Sequence, residues 1–114
     1  MNPSDTDTQR DTDTPSETAA SGEVVRLRAR IDDLDRRIVA LLNERAALAI
    51  EVGRAKASAG RTVMHDAERE GEVLRLVAQA NGGPIGDEAL RALYRRIIDL
   101  TLRLEEADRE LEAT

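Results

Sequence analysis

Apolar residues step along the first part of the chain at helical spacing: Leu27, Ile31, Leu34, Ile38 and Leu41, then Leu48 and Val52. Steps that alternate between four and three keep them on one stripe of one helix. The position that would continue the stripe between Leu41 and Leu48 holds Arg45. A guanidinium directed into a helix–helix seam is costly unless an anion meets it. Three turns further, at nearly the same angle, stands Lys56, the one lysine among 17 basic residues. Two cations aimed inward from one helix point to a buried site for an anionic ligand.

The pattern predicts a first helix from about Glu23 to Ala59, free of proline and stopped near Gly60. Such a helix would run roughly 50 Å, whereas a compact chain of about 90 residues has a radius of gyration of only ~12 Å. Its stripe therefore needs cover from another chain. After a loop from Gly60 to His65, Asp66 is placed to cap a second helix over Ala67–Ala80 by accepting from the next turn's amides. Val73, Leu74 and Val77 would face inward, and Gly71 weakens this helix by about 1 kcal/mol relative to alanine. Asn81-Gly82-Gly83-Pro84 should end it, with glycine in a left-handed cap and proline blocking continuation. A third helix is predicted from about Asp87 to Glu112, with Leu90, Leu93, Tyr94, Ile97, Ile98, Thr101, Leu104 and Leu111 inside. No strand pattern occurs. The fold class is all-α: a three-helix chain with one very long first helix.

Composition narrows the picture. The chain has 114 residues, room for one domain, and a net charge of −6. Residues 1–22 are Asp, Thr, Ser, Pro and Gly with almost no apolar side chain, and are expected to form a disordered acidic tail ahead of a helical domain over 23–114. Up to residue 23 there are six acids against Arg10, so the remainder is nearly neutral. No basic cluster interleaved with aromatics is present, which argues against nucleic-acid binding. No apolar run approaches 18 residues, so no membrane span is expected. There is no cysteine, and a cytoplasmic location is expected. Tyr94 is the single aromatic residue, so the apolar content suits helix seams better than a conventional globular core.

Several polar groups break the apolar logic, and each also has an ordinary explanation. Arg45 could pair with a buried carboxylate while Lys56 extends to water along its apolar stem. Arg28 lies 17 residues before Arg45, about 25 Å along one helix, so the two cannot hold one small anion within a chain. Two antiparallel copies of the first helix would bring them together; taken alone, Arg28 reads as a solvated charge. In Asp66-Ala67-Glu68-Arg69-Glu70 the acids suit a helix start, but Arg69 opposes the dipole there. Thr101 and Glu105 stand one turn apart on the third helix, where Glu105 also reads as a surface residue near a helix end. His65 is lone and loop-placed. No metal-ligand spacing, nucleophile–base pair or phosphate loop is found.

Taken in order, these pieces resemble the all-helical chorismate mutases. The resemblance is carried by Leu27-Arg28-Ala29-Arg30-Ile31-Asp32-Asp33-Leu34-Asp35, Leu41-Leu42-Asn43-Glu44-Arg45, Glu51-Val52-Gly53-Arg54-Ala55-Lys56 and Asp66-Ala67-Glu68-Arg69-Glu70. Pro84-Ile85-Gly86-Asp87-Glu88 and Ile97-Ile98-Asp99-Leu100-Thr101 are similar too, so the likeness covers about residues 24–106. It implies an intertwined homodimer with two sites inside the bundle, rearranging chorismate to prephenate without cofactor or metal. It further implies that Arg45 and the partner's Arg28 clamp the two substrate carboxylates, and that Lys56 donates to the ether oxygen. Arg69 would face a carboxylate, while the Asp66 backbone and Glu70 hold the ring hydroxyl. Thr101 stands where the family often has serine, near a carboxylate. Glu105 stands where it often has glutamine, beside the ether oxygen.

A pericyclic shift needs no acid, base or nucleophile; it needs a flexible dianion held in a compact chair, which bidentate arginines do well. Glu105 is the departure of consequence, because an ionised carboxylate cannot donate to the ether oxygen. Burial and nearby negative charge are expected to raise its pKa so that it works protonated, with Lys56 opposing. Related activities fit the same resemblance: an isochorismate–pyruvate lyase, or a mutase acting on an amino analogue of chorismate. Glu70 favours the mutase over the lyase. A helical dimerisation module without catalysis, and activation by a partner enzyme, are the remaining readings.

Overall fold

The computed structural model describes the backbone of residues 13–61 and 66–113, with side chains from residue 18 onward. Its elements are α1 (Asp13–Ser58), α2 (Ala67–Ala80) and α3 (Asp87–Ala113), and no strand occurs among the described residues. The expected positions and lengths of α2 and α3 are met closely. Helix α1 starts ten residues ahead of the predicted Glu23, inside the segment expected to be a disordered tail. Pro15 does not prevent this, since a first-turn residue has no intrahelical acceptor for its amide in any case. The rest of that segment, residues 1–12, and His65 lie outside the described residues.

The chain divides into two units between Leu42 and Asn43. In the first, α1 carries its apolar stripe exposed: Leu27, Ile31, Leu34, Ile38 and Leu41 keep 45–60% of their surface open. Arg36 pairs with Asp33 one turn back at 2.5 Å, and Arg26 pairs with Glu23 in the same way.

The second unit holds the end of α1, α2 and α3. Three helix ends there, the end of α1 and both ends of α2, are closed by specific devices. At the end of α1, Arg61 N–H donates to Lys56 O at 2.7 Å and Gly60 N–H to Ala57 O at 2.9 Å. This crossed pair needs a left-handed residue, which Gly60 supplies at φ +77. The reversal ties down the backbone of Lys56. Asp66 caps α2 as predicted, accepting from Arg69 N–H at 3.0 Å.

The end of α2 departs from expectation. Its cap is Asn81 in an extended conformation, and the left-handed glycine is Gly83, two residues later, before a cis Gly83–Pro84 bond. The Asn81 side chain closes the turn instead. It accepts from Gly83 N–H at 3.1 Å and donates to Ile85 O and Asp87 Oδ1 at 2.8 and 2.7 Å, joining the end of α2 to the start of α3.

No hydrophobic side chain is fully buried among the described residues. Ile50, Val73, Leu74, Val77, Leu90, Ile97, Ile98 and Leu102 are half-buried and make up the apolar interior of this unit. Three positions expected inside, Leu93, Leu104 and Leu111, are exposed at 53, 38 and 74%. Two of the described residues are fully buried: Gly53 of α1, which lies against Glu105, and Thr101 of α3, which accepts from Arg45.

Candidate active site

Arg45, Val52 and Lys56 recur at 7 and 11 residues along α1, so their side chains share one face. That face, with Leu48 and Ala49, forms one wall of a cavity of about 340 Å³. The first turns of α2 contribute Asp66, Arg69, Glu70 and Val73, and α3 contributes Ile98, Thr101, Leu102 and Glu105. Seven of the eight residues expected at the site therefore meet at one cavity inside the second unit. The eighth, Arg28, is exposed on α1 in the first unit and does not line the cavity.

Arg45 is half-buried. Its Nη1 donates to Thr101 Oγ1 at 3.5 Å, and its guanidinium carbon lies 6.0 Å from the Tyr94 ring centre, at the outer reach of a cation–π contact. Thr101 is 6% exposed, and its hydroxyl donates to Ile98 O at 3.0 Å. That leaves its oxygen lone pairs for Arg45. No carboxylate pairs with Arg45 among the contacts described, so the ordinary structural explanation for a cation in the stripe is not met within this unit.

Arg69 is exposed, and its guanidinium pairs with Glu72 one turn on. That pair offsets its unfavourable place at a helix start while leaving it at the cavity rim. Asp66 is occupied as a cap, so its side chain is engaged by α2 itself. Lys56 and Glu70 are half-buried.

Glu105 is half-buried among these groups. Burial pushes its carboxyl above the ordinary carboxylate range; Lys56 draws it part of the way back, and Glu106 adds to the rise. The direction is the one expected from the sequence, with burial as its first cause and Lys56 opposing.

Three features escaped the sequence reading. Leu102 forms part of the cavity wall, although its place four residues after Ile98 marked it. Gly53 is buried against Glu105, and no sequence signal separates it from an ordinary helical glycine. The third is a clasp between α1 and α3. Arg54 Nε donates to Asp108 Oδ2 at 3.0 Å and Nη2 to Oδ1 at 2.8 Å, with Glu112 at 3.1 Å. The hydrogen bonds from Arg54 hold the Asp108 carboxyl below its ordinary value. In this clasp Arg54 stands two residues before Lys56 on α1, and Asp108 one turn after Glu105 on α3.

Comparison with known proteins agrees with the geometry. The sequence profile of the family described as Chorismate mutase type II matches residues 27–106. A bifunctional chorismate mutase/prephenate dehydratase of Stutzerimonas stutzeri is 42% identical over 84 residues, 70% of this chain and 23% of that protein. Its namesake in Aquifex aeolicus is 44% identical over 87 residues, 73% of this chain and 24% of that protein. The chain thus spans about a quarter of the length of these relatives. Among solved structures, a chorismate mutase from Thermus thermophilus superposes with a TM-score of 0.70 at 37% identity, covering 74% of this chain and 94% of that one. With the profile spanning most of the chain and the cationic cavity in place, this protein belongs to the chorismate mutase type II family and is an all-helical chorismate mutase domain.

Proposed function

We propose that this domain converts chorismate to prephenate by gripping the dianion in a reactive conformation. The observation that carries this reading is the convergence of Arg45, Lys56 and Arg69 on one cavity with Glu70, Thr101 and Glu105. In the reaction a C–O bond of the ether breaks as a C–C bond forms within one molecule, so no atom is gained or lost. Arg45, supported by Thr101, binds one carboxylate, and Arg69 faces a carboxylate from the rim. Glu70 and the Asp66 backbone take the ring hydroxyl. Negative charge grows on the ether oxygen as its bond breaks, so Lys56 stabilises the transition state more than the ground state. Glu105, whose carboxyl burial pushes above the ordinary carboxylate range, donates to the same oxygen in its protonated form.

We further propose that the working form is a homodimer in which the partner's Arg28 completes the carboxylate clamp. The exposed stripe of Leu27, Ile31, Leu34, Ile38 and Leu41 supports this. Covering the exposed half of each such side chain is worth on the order of 1 kcal/mol, so a second copy offsets its ordering cost. The relatives' names join the mutase to a dehydratase, which supports a partner enzyme that acts with this chain and activates it. No helix among the described residues is long and apolar enough to cross a membrane, and a cytoplasmic location goes with this proposal.

The test is to add purified protein to chorismate, follow the loss of its absorbance and identify the product, with isochorismate and the amino analogue offered in parallel. Prephenate as product, from a species of twice the chain mass, is expected. Turnover of only one of the other substrates, or of none, would sink the assignment.

A further inference from the structure

We infer that Gly53 is a positioning residue for the reaction: its missing side chain leaves the space in which Glu105 lies against α1, and so sets where the Glu105 carboxyl stands in the cavity. This deepens the activity proposed above and rests on it.

Glycine is disfavoured in the middle of a helix relative to alanine, and Gly53 has no left-handed backbone to justify it. It is also fully buried, alone among the described residues of α1. A Cβ placed there would come 3.3 Å from Glu105 Oε1 and 3.5 Å from both its Cβ and Cγ. The first distance is tighter than ordinary van der Waals contact, so the carboxyl would have to give way. The other glycines inside helices are different. A Cβ at Gly22 or Gly71 would meet the tip of an arginine, at 3.7 and 3.6 Å, ordinary contacts with a flexible end. At position 53 the neighbour is the Glu105 side chain of α3, whose carboxylate lines the cavity together with Lys56.

A methyl at position 53 pushes the Glu105 carboxyl off α1 and toward the open cavity. There it meets more water, which returns its titration toward the ordinary carboxylate range. The charged groups that line the cavity with it are Lys56 and Arg45 from α1, Asp66 at the cap of α2, and Arg69 and Glu70 from α2, while Glu106 acts on it from α3. Any shift of the carboxyl changes its distance to Lys56, the group proposed to share its target oxygen. Misplacement by a fraction of an ångström is enough to slow a reaction that depends on alignment.

The experiment compares wild type, G53A, E105Q and G53A/E105Q. It measures kcat and KM for chorismate across pH, and titrates the Glu105 carboxyl carbon by NMR in the free protein. In G53A, kcat should fall about tenfold while KM changes less than about twofold, and Glu105 should titrate lower than in wild type. The pH at which kcat falls should move with it, and in the E105Q background the methyl should move no titration. Wild-type kcat with an unmoved titration in G53A would overturn the inference. So would a loss of kcat with the titration unmoved, which is the behaviour of a glycine needed only for helix packing. Should G53A fail to fold, G53A/E105D, whose shorter acid clears the methyl, must fold; its failure assigns Gly53 to packing. Because the titration needs no substrate, it still tests the contact if wild type fails to turn over chorismate, an outcome that counts against the proposed function instead.

Discussion

The Arg45 guanidinium reaches 3.5 Å across from α1 to the hydroxyl of Thr101 on α3, a side chain that is only 6% exposed. The hydroxyl donates its own proton to Ile98 O, so it faces Arg45 purely as an acceptor. One oxygen thus orients a cation that has no carboxylate partner among the contacts described. T101V removes that oxygen at nearly constant volume. It should raise KM for chorismate and lower kcat/KM about five- to tenfold, the roughly 1 kcal/mol that one ordinary hydrogen bond carries. T101S should stay near wild type, and steady-state kinetics on the two variants checks this.

Arg45 separates an enzyme from a mere dimerisation module. A cation aimed into a seam without an anion is a cost to folding, so R45A should fold with equal or higher thermal stability. Its kcat/KM should nevertheless fall by roughly 10²–10³, comparable to losing a fixed donor to a developing charge. R45K should fail nearly as badly, since an ammonium cannot make the planar two-point contact. Melting curves beside kinetics decide the matter; unchanged turnover in R45A would remove Arg45 from the site.

The raised pKa of Glu105 has a definite sign. Turnover should fall as pH rises through it, because the ionised form can no longer donate and repels the dianion. E105Q, which donates at every pH, should flatten the profile. For stability, a carboxyl whose folded pKa lies above its unfolded value binds its proton more tightly when folded. Its contribution is therefore full below the unfolded pKa and lost as pH rises through the folded one. E105Q should accordingly melt higher than wild type at pH 8, with the gap closing as the pH is lowered.

The Arg54–Asp108 clasp runs the opposite way. Asp108 is held below its ordinary value, so its contribution is present above the unfolded pKa and lost as pH falls through the folded one. D108N should lower the melting temperature at pH 7 and flatten the acid side of the stability curve. In about 1 M salt, where surface charges are screened within ~3 Å, the difference from wild type should shrink.

Gly71 offers a gain without a functional cost. It lies inside α2, away from the cavity wall, and an added Cβ would meet only the end of Arg75 at 3.6 Å. G71A should stabilise by about 1 kcal/mol, raising the melting temperature by roughly 4–8 °C with kcat/KM unchanged.

Much of this protein was determined by its sequence alone. Periodicity located three helices, because an apolar stripe repeats at the pitch of the element that carries it. Asp66 announced the start of α2, since a carboxylate ahead of an apolar-periodic run has free amides to accept from. Arg45 and Lys56 were visible as polar interruptions of a stripe. Other matters are decided only when separate helices meet. Nothing local states the offset of α1 against α3, and that offset brings Gly53 to Glu105, Arg45 to Thr101 and Arg54 to Asp108. The raised pKa of Glu105 likewise comes from surroundings supplied by three helices. Asn81 took over the turn expected of a glycine because its side chain can satisfy Gly83, Ile85 and Asp87 together, which depends on where α3 begins. A side chain's own chemistry is legible in order along the chain; its burial and its partners are properties of packing, and packing is not local.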